Sequence, residues 1–98
     1  MTFIQMMDYA TSKPEEMQRV AEEWERATDG KRTARRIVRT RYRDDPNRYR
    51  EMVFFDSYEA AMENSELPET QEYAKMEQDL VDGEITYVDL DVVEDRRL

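Results

Sequence analysis

A chain of 98 residues with a formal net charge of -9, no cysteine and no histidine has several chemistries closed to it. Disulfides, thiolate nucleophiles, Ser-His-Asp triads, zinc sites and histidine-ligated haem all need side chains that this sequence lacks. At 39% hydrophobic and 40% charged it can build one small core, and a chain this short buries only about two-thirds of its unfolded surface, so a single domain over residues 1–98 that gains from pairing with a second copy is expected.

No apolar run approaches the roughly 20 residues that span a bilayer. The opening MTFIQMMDYATSK has no basic leader followed by an apolar stretch, so a cytoplasmic protein without membrane contact is expected. The acidic stretch ENSELPETQE lacks the glycine-bearing loop and ligand spacing of an EF-hand, and no metal is expected. Charge is unevenly distributed. Residues 31–50 hold nine basic and two acidic side chains, a local net of +7, which leaves -16 on the remainder.

Residues 3–9, FIQMMDY, alternate as a strand, with Phe3, Met7 and Tyr9 on one face and Ile4 and Met6 on the other. The following SKPE offers Ser12 as an N-cap, Glu15 three positions on, and Pro14 in the first turn. Met17, Val20, Ala21, Trp24 and Ala27 then recur at helical spacing, until Asp29-Gly30 supplies a stop. Residues 32–43 fit a helical stripe as well, but Ile37, Val38, Thr40 and Tyr42 suit a pleated strand better, and DDPN is a turn; residues 32–56 therefore read as a hairpin. Ser57 can cap a short helix, YEAAMEN. Pro68 can open a second helical piece with Tyr73, Met76 and Leu80 on its apolar side, ended by Asp82-Gly83. Residues 84–93 alternate Thr86, Val88, Leu90 and Val92 against Tyr87, Asp89 and Asp91 as a last strand.

The order β-α-β-β-α-β, with right-handed crossovers, gives an α+β ferredoxin-like fold: a four-stranded antiparallel sheet with helices on one face. Both sheet faces carry apolar residues, so a second subunit is expected over the uncovered one.

A four-residue loop Asp44–Asn47 would pair Tyr42 with Tyr49, Val38 with Val53 and Arg36 with Phe55 on the helix side. The other face would then carry Arg43 with Arg48, Arg41 with Arg50, Arg39 with Met52 and Ile37 with Phe54. Like charges crowded at the hairpin tip require an acidic counterpart. Asp89 and Asp91, from this chain or a partner, are the expected source, which makes Arg39, Arg41, Arg43, Arg48, Arg50, Asp89 and Asp91 the expected homodimer interface.

The stretch VFFDSYEAA is similar to the strand-to-helix corner of RNA-recognition motifs, which share the topology. That family stacks bases on aromatic residues of its third strand, and Arg50 and Met52 stand at the stacking positions here, so no nucleic-acid partner is expected.

The whole topology, together with SYEAAMENSELPETQEYAKMEQDL, resembles the dimeric α/β-barrel superfamily and, within it, the antibiotic biosynthesis monooxygenase-like group. That group commonly has a small-residue pair, a histidine and then a serine on this helix. Ala60, Ala61 and Ser65 match, and Met62 stands at the histidine position. The resemblance implies a dimer through the open sheet faces, a pocket between sheet and helices, and either cofactor-free oxygenation of aromatic compounds or haem degradation. Without a histidine to ligate iron the haem branch is disfavoured, so no cofactor is expected.

Cofactor-free oxygenation needs groups that bind an acidic phenol or enol and stabilise its anion. Trp24, Tyr42 and Tyr49 are the residues expected to line a substrate site, and Arg36, Asn64 and Tyr73 those expected to carry chemistry. Each also has a structural explanation: Trp24 as core, the tyrosines as a cross-strand pair, Asn64 as a helix cap, Arg36 as a side chain extending past the sheet edge. Two functions stay open on the sequence. One is a cofactor-independent monooxygenase acting on a small aromatic metabolite; the other is a non-catalytic ligand-binding or assembly module of the same fold.

Overall fold

The computed structural model describes residues 2–98. In chain order the elements are β1 (Phe3–Ala10), α1 (Pro14–Ala27), β2 (Arg36–Tyr42), β3 (Asp45–Phe55), α2 (Tyr58–Glu66), α3 (Pro68–Leu80) and β4 (Thr86–Asp91). The strands form one antiparallel sheet in the order β2-β3-β1-β4, with β1 paired to both β3 and β4. The molecule is a two-layer slab measuring 35 × 34 × 21 Å, with α1 packed against α3.

Local chemistry accounts for most of the boundaries. Pro14 and Pro68 occupy first turns, where a missing N–H leaves no intrahelical bond unmade. Ser57 caps α2, its Oγ accepting from the Ala60 N–H at 3.0 Å. The expected cap at Ser12 is absent: Lys13 holds the N-cap position of α1, and Thr11 Oγ1 accepts the Lys13 N–H instead. Gly30 and Gly83 follow α1 and α3 at φ values of 78° and 89°, where a β-carbon would be strained.

The core lies between sheet and helices and contains Phe3, Met7, Tyr9, Met17, Val53, Phe55, Ala61 and Ile85. On β3 the alternation is as the sequence indicates, with Tyr49, Glu51, Val53 and Phe55 toward the helices. On β2 it is reversed. A two-residue turn at Arg43 and Asp44 lets Tyr42 pair with Asp45; an irregularity then skips to Arg41 opposite Tyr49, followed by Arg39 opposite Glu51, Ile37 opposite Val53 and Arg36 opposite Phe54. This is one residue away from the register expected from a four-residue loop, and a slip of one turns every side chain of the strand over. Ile37, Arg39 and Arg41 therefore share the helix-facing side, and Arg36, Val38 and Thr40 the open side.

Three rows of side chains cross the open side, read from the pairing: Arg36-Phe54-Ile4-Leu90, Val38-Met52-Met6-Val88 and Thr40-Arg50-Asp8-Thr86. The expected acidic counterpart to the hairpin arginines exists, but Asp8 of β1 supplies it. Its carboxylate accepts from Arg48 Nε at 2.9 Å, Arg50 Nε at 3.2 Å and the Tyr42 hydroxyl at 2.7 Å. Burial raises the Asp8 pKa, yet those hydrogen bonds and the Arg48 and Arg50 charges outweigh it and hold the value below the ordinary carboxylate range. Asp89 and Asp91 pair with Gln5 and Phe3, on the opposite face from Arg48 and Arg50. Among the expected interface arginines, Arg48 and Arg50 lie on the open side, Arg39 and Arg41 do not, and Arg43 sits in the turn.

Among the described residues no helix is long and apolar enough to cross a membrane.

Candidate functional site

Beneath the helices a partly open chamber of about 410 Å³ separates the sheet from α1, α2 and α3. Its apolar wall includes Met7, Ile37, Val53 and Phe55 from the strands and Trp24 from α1. Trp24 is 7% exposed, its Nε1–H donates to Thr70 Oγ1 at 2.9 Å, and its ring lies 5.8 Å from that of Tyr73. The indole is thus both packed and part of the lining, so its two sequence readings coincide.

The chamber floor is polar. Row by row, pairing places Arg39, Glu51, Met7 and Tyr87 side by side on the helix-facing side. Arg39 Nε donates to Glu51 Oε2 at 3.0 Å, and its Nη1 donates to Gln18 Oε1 of α1 at 3.0 Å. The Tyr9 hydroxyl donates to the same Glu51 oxygen at 3.4 Å. Burial works against the charge on Arg39, but the Glu51 carboxylate more than compensates and holds the guanidinium pKa above its ordinary value. Burial, and then the Glu51 charge, push the Tyr9 hydroxyl pKa up.

From the opposite wall α3 contributes Tyr73 and, one turn later, Glu77. Glu77 is 2% exposed, and its Oε2 is a buried side-chain oxygen without a hydrogen-bond partner. Burial is the main reason its pKa rises to about 8, and the nearby Glu51 charge adds to it; the Tyr73 hydroxyl and Arg39 oppose the shift. The Tyr73 pKa is pushed up in turn by burial, Glu77 and Glu51. A buried carboxyl that changes charge near neutral pH, inside a cavity, is a group able to exchange a proton with whatever occupies the space.

Of the residues singled out from sequence, the chamber brings together Trp24, Asn64 and Tyr73. Asn64 is buried at the end of α2, and its Oδ1 accepts the Thr33 N–H at 3.3 Å. Arg36, Tyr42 and Tyr49 are not in the lining. Arg36 stands on the open side with its guanidinium 5.2 Å over the Phe54 ring, and Tyr42 reaches Asp8. Tyr49 stacks on Tyr9 at 5.8 Å rather than pairing with Tyr42. Arg39, Glu51 and Glu77 take the place expected of Arg36. For the two acids a signal was present, since Glu51 falls between Tyr49 and Val53 in the inward set of its strand and Glu77 falls within the Tyr73, Met76, Leu80 stripe; Arg39 had none, because the expected register put it on the open side. Among the described residues no three acidic side chains gather as a metal-holding group.

No family model and no curated protein matches this sequence. Solved structures do match. SnoaB, a cofactor-independent oxygenase from Streptomyces nogalater, superposes with a TM-score of 0.80 at 14% identity, over 96% of this chain and 95% of that one. Rv0793 from Mycobacterium tuberculosis gives 0.78 at 10% identity, over 99% and 100% of the two chains. The fold is that of the antibiotic biosynthesis monooxygenase-like proteins. In this fold the small pair Ala60 and Ala61 lies on α2 at the core, and Ser65 faces the chamber. Met62, at the position where the group commonly has histidine, packs against the core.

Proposed function

We propose that this protein is a cofactor-independent monooxygenase-like enzyme that binds a small aromatic metabolite between sheet and helices and works as a homodimer. The observation that carries the proposal is the chamber itself: an aromatic and aliphatic wall beside a polar floor of Arg39 and Glu51, with Glu77 opposite them on α3. Its volume, about 410 Å³, is on the scale of small-molecule sites.

Oxygenation without a cofactor draws all its electrons from the substrate. An activated CH2 group loses both hydrogens, one atom of O2 becomes its carbonyl oxygen, and the other leaves as water. The protein has to take a proton, hold the resulting anion, and keep bulk water away while oxygen reacts. Arg39 supplies fixed positive charge, and Trp24, Phe55 and Met7 supply the dry wall.

The test is oxygen uptake with a panel of tricyclic and bicyclic phenols that carry an activated CH2. Consumption of one O2 per substrate is expected, falling about tenfold or more in Arg39→Ala. Binding without uptake across the panel would overturn catalysis and leave a ligand-binding module. A specific observation favours that second reading: the Arg39 charge is already committed to Glu51 and Gln18.

The homodimer is supported by the open side of the sheet. Val88 and Leu90 are 36% and 39% exposed, and Ile4, Met6, Met52 and Phe54 are only half-buried beside them. A second copy laid face to face would remove this patch from water.

A further inference from the structure

Glu77 is the one buried side-chain oxygen-bearer, among the described residues, left with an unpartnered oxygen. An unsatisfied buried acceptor costs about 1–3 kcal/mol, and such groups persist where something else supplies the partner. Here the oxygen belongs to a residue that lines the chamber. We propose that Glu77 is the group that meets the ligand: its Oε2 takes the hydrogen bond, and in turnover the proton, of an aromatic hydroxyl, so that the chamber selects neutral phenols over aromatic carboxylates. The inference rests on the chamber being the aromatic site.

Charge accounting around Glu77 supports the selectivity. From the sheet it is faced by Glu51, Arg39, Tyr9 and Tyr87, and from its own helix by Tyr73. Glu22 and Glu25 of α1 lie at the exposed margin of the lining. Arg39 is already paired with Glu51, so a carboxylate ligand would have to compete with Glu51 for that one guanidinium and would stand beside two acidic groups. A phenol brings no charge and one O–H donor. In the proton step the O–H bond breaks, its electron pair stays on the phenolic oxygen, and the proton moves to Glu77.

The experiment is calorimetric titration of the intact protein with 1-naphthol and 1-naphthoate at neutral pH, in two buffers of different ionisation enthalpy. Naphthol is expected to bind about tenfold or more tightly than naphthoate. Its binding should release protons, because a donor on Oε2 favours the ionised form of Glu77; Glu77→Gln should abolish the release. The proton count on the unmodified protein tests the proposal even if the variant folds poorly. Equal binding of both ligands, no proton release, or tighter binding of naphthylmethylammonium would overturn the role of Glu77 while the chamber remains an aromatic site. Failure of every ligand to bind would overturn the site reading and this inference together.

Discussion

Glu51 has a guanidinium 3.0 Å away, whereas Glu77, in the same chamber, has an oxygen with no partner. The difference fixes a pH signature. The Glu77 pKa rises from an ordinary 4.5 to about 8, first through burial and then through the Glu51 charge. Between those two values the unfolded chain has released this proton and the folded chain has not, so stability falls as pH rises through the window and levels off above it. Glu77→Gln should remove that slope. Thermal melts are expected to coincide near pH 4.5 and to favour the variant at pH 8 by on the order of 3 kcal/mol. A variant less stable than the parent at pH 8 would contradict the assignment of Glu77 as a buried, uncompensated acid. At this scale the sequence was legible for Trp24, Asn64 and Tyr73. It was not for Arg39, Glu51 and Glu77, because a charged side chain is ordinarily solvated and only its place in an inward-facing set argues otherwise.

Each strand and helix can be found in the sequence from periodicity and stop signals, including the break between α2 and α3 at Leu67-Pro68. The faces of β2 could not be found that way. Arg36, Val38, Thr40 and Tyr42 alternate as well against β3 in one register as Ile37, Arg39 and Arg41 do in the next. The choice is made by the irregularity between Arg41 and Tyr42, and turn geometry of that kind leaves little trace in composition. Capping was legible in one case out of two, since Ser57 caps the start of α2 but Lys13, not Ser12, holds the N-cap position of α1. Ser57→Ala is expected to cost about 1 kcal/mol in urea denaturation. Because α2 presents Asn64 and Ser65 to the chamber, naphthol affinity should weaken in parallel. An unchanged unfolding midpoint would show that the cap contributes nothing to α2.

For the whole molecule, the proposed homodimer makes a prediction that differs from one based on the arginines. Arg48 and Arg50 share the Asp8 carboxylate within the chain, so the proposed interface rests on the apolar rows rather than on arginine–aspartate pairs between copies. Sedimentation should give a dimer little affected by salt, since apolar burial is not screened as ion pairs are. Met6→Lys, in the middle row of the open side, should give a monomer. A monomeric parent protein, or dissociation driven by salt alone, would overturn the apolar interface.

The irregular end of the β2–β3 hairpin has a consequence for engineering. Because one residue of register decides whether Arg39 or Arg36 faces the chamber, the length of the hairpin tip acts as a selector for the polarity of the interior. Removing one residue between Asp44 and Arg48 would, if the pairing followed the shortened tip, exchange an internal guanidinium for an external one without substituting either arginine. Variation in loop length, usually regarded as neutral at a surface, is here a means of changing which arginine faces the chamber.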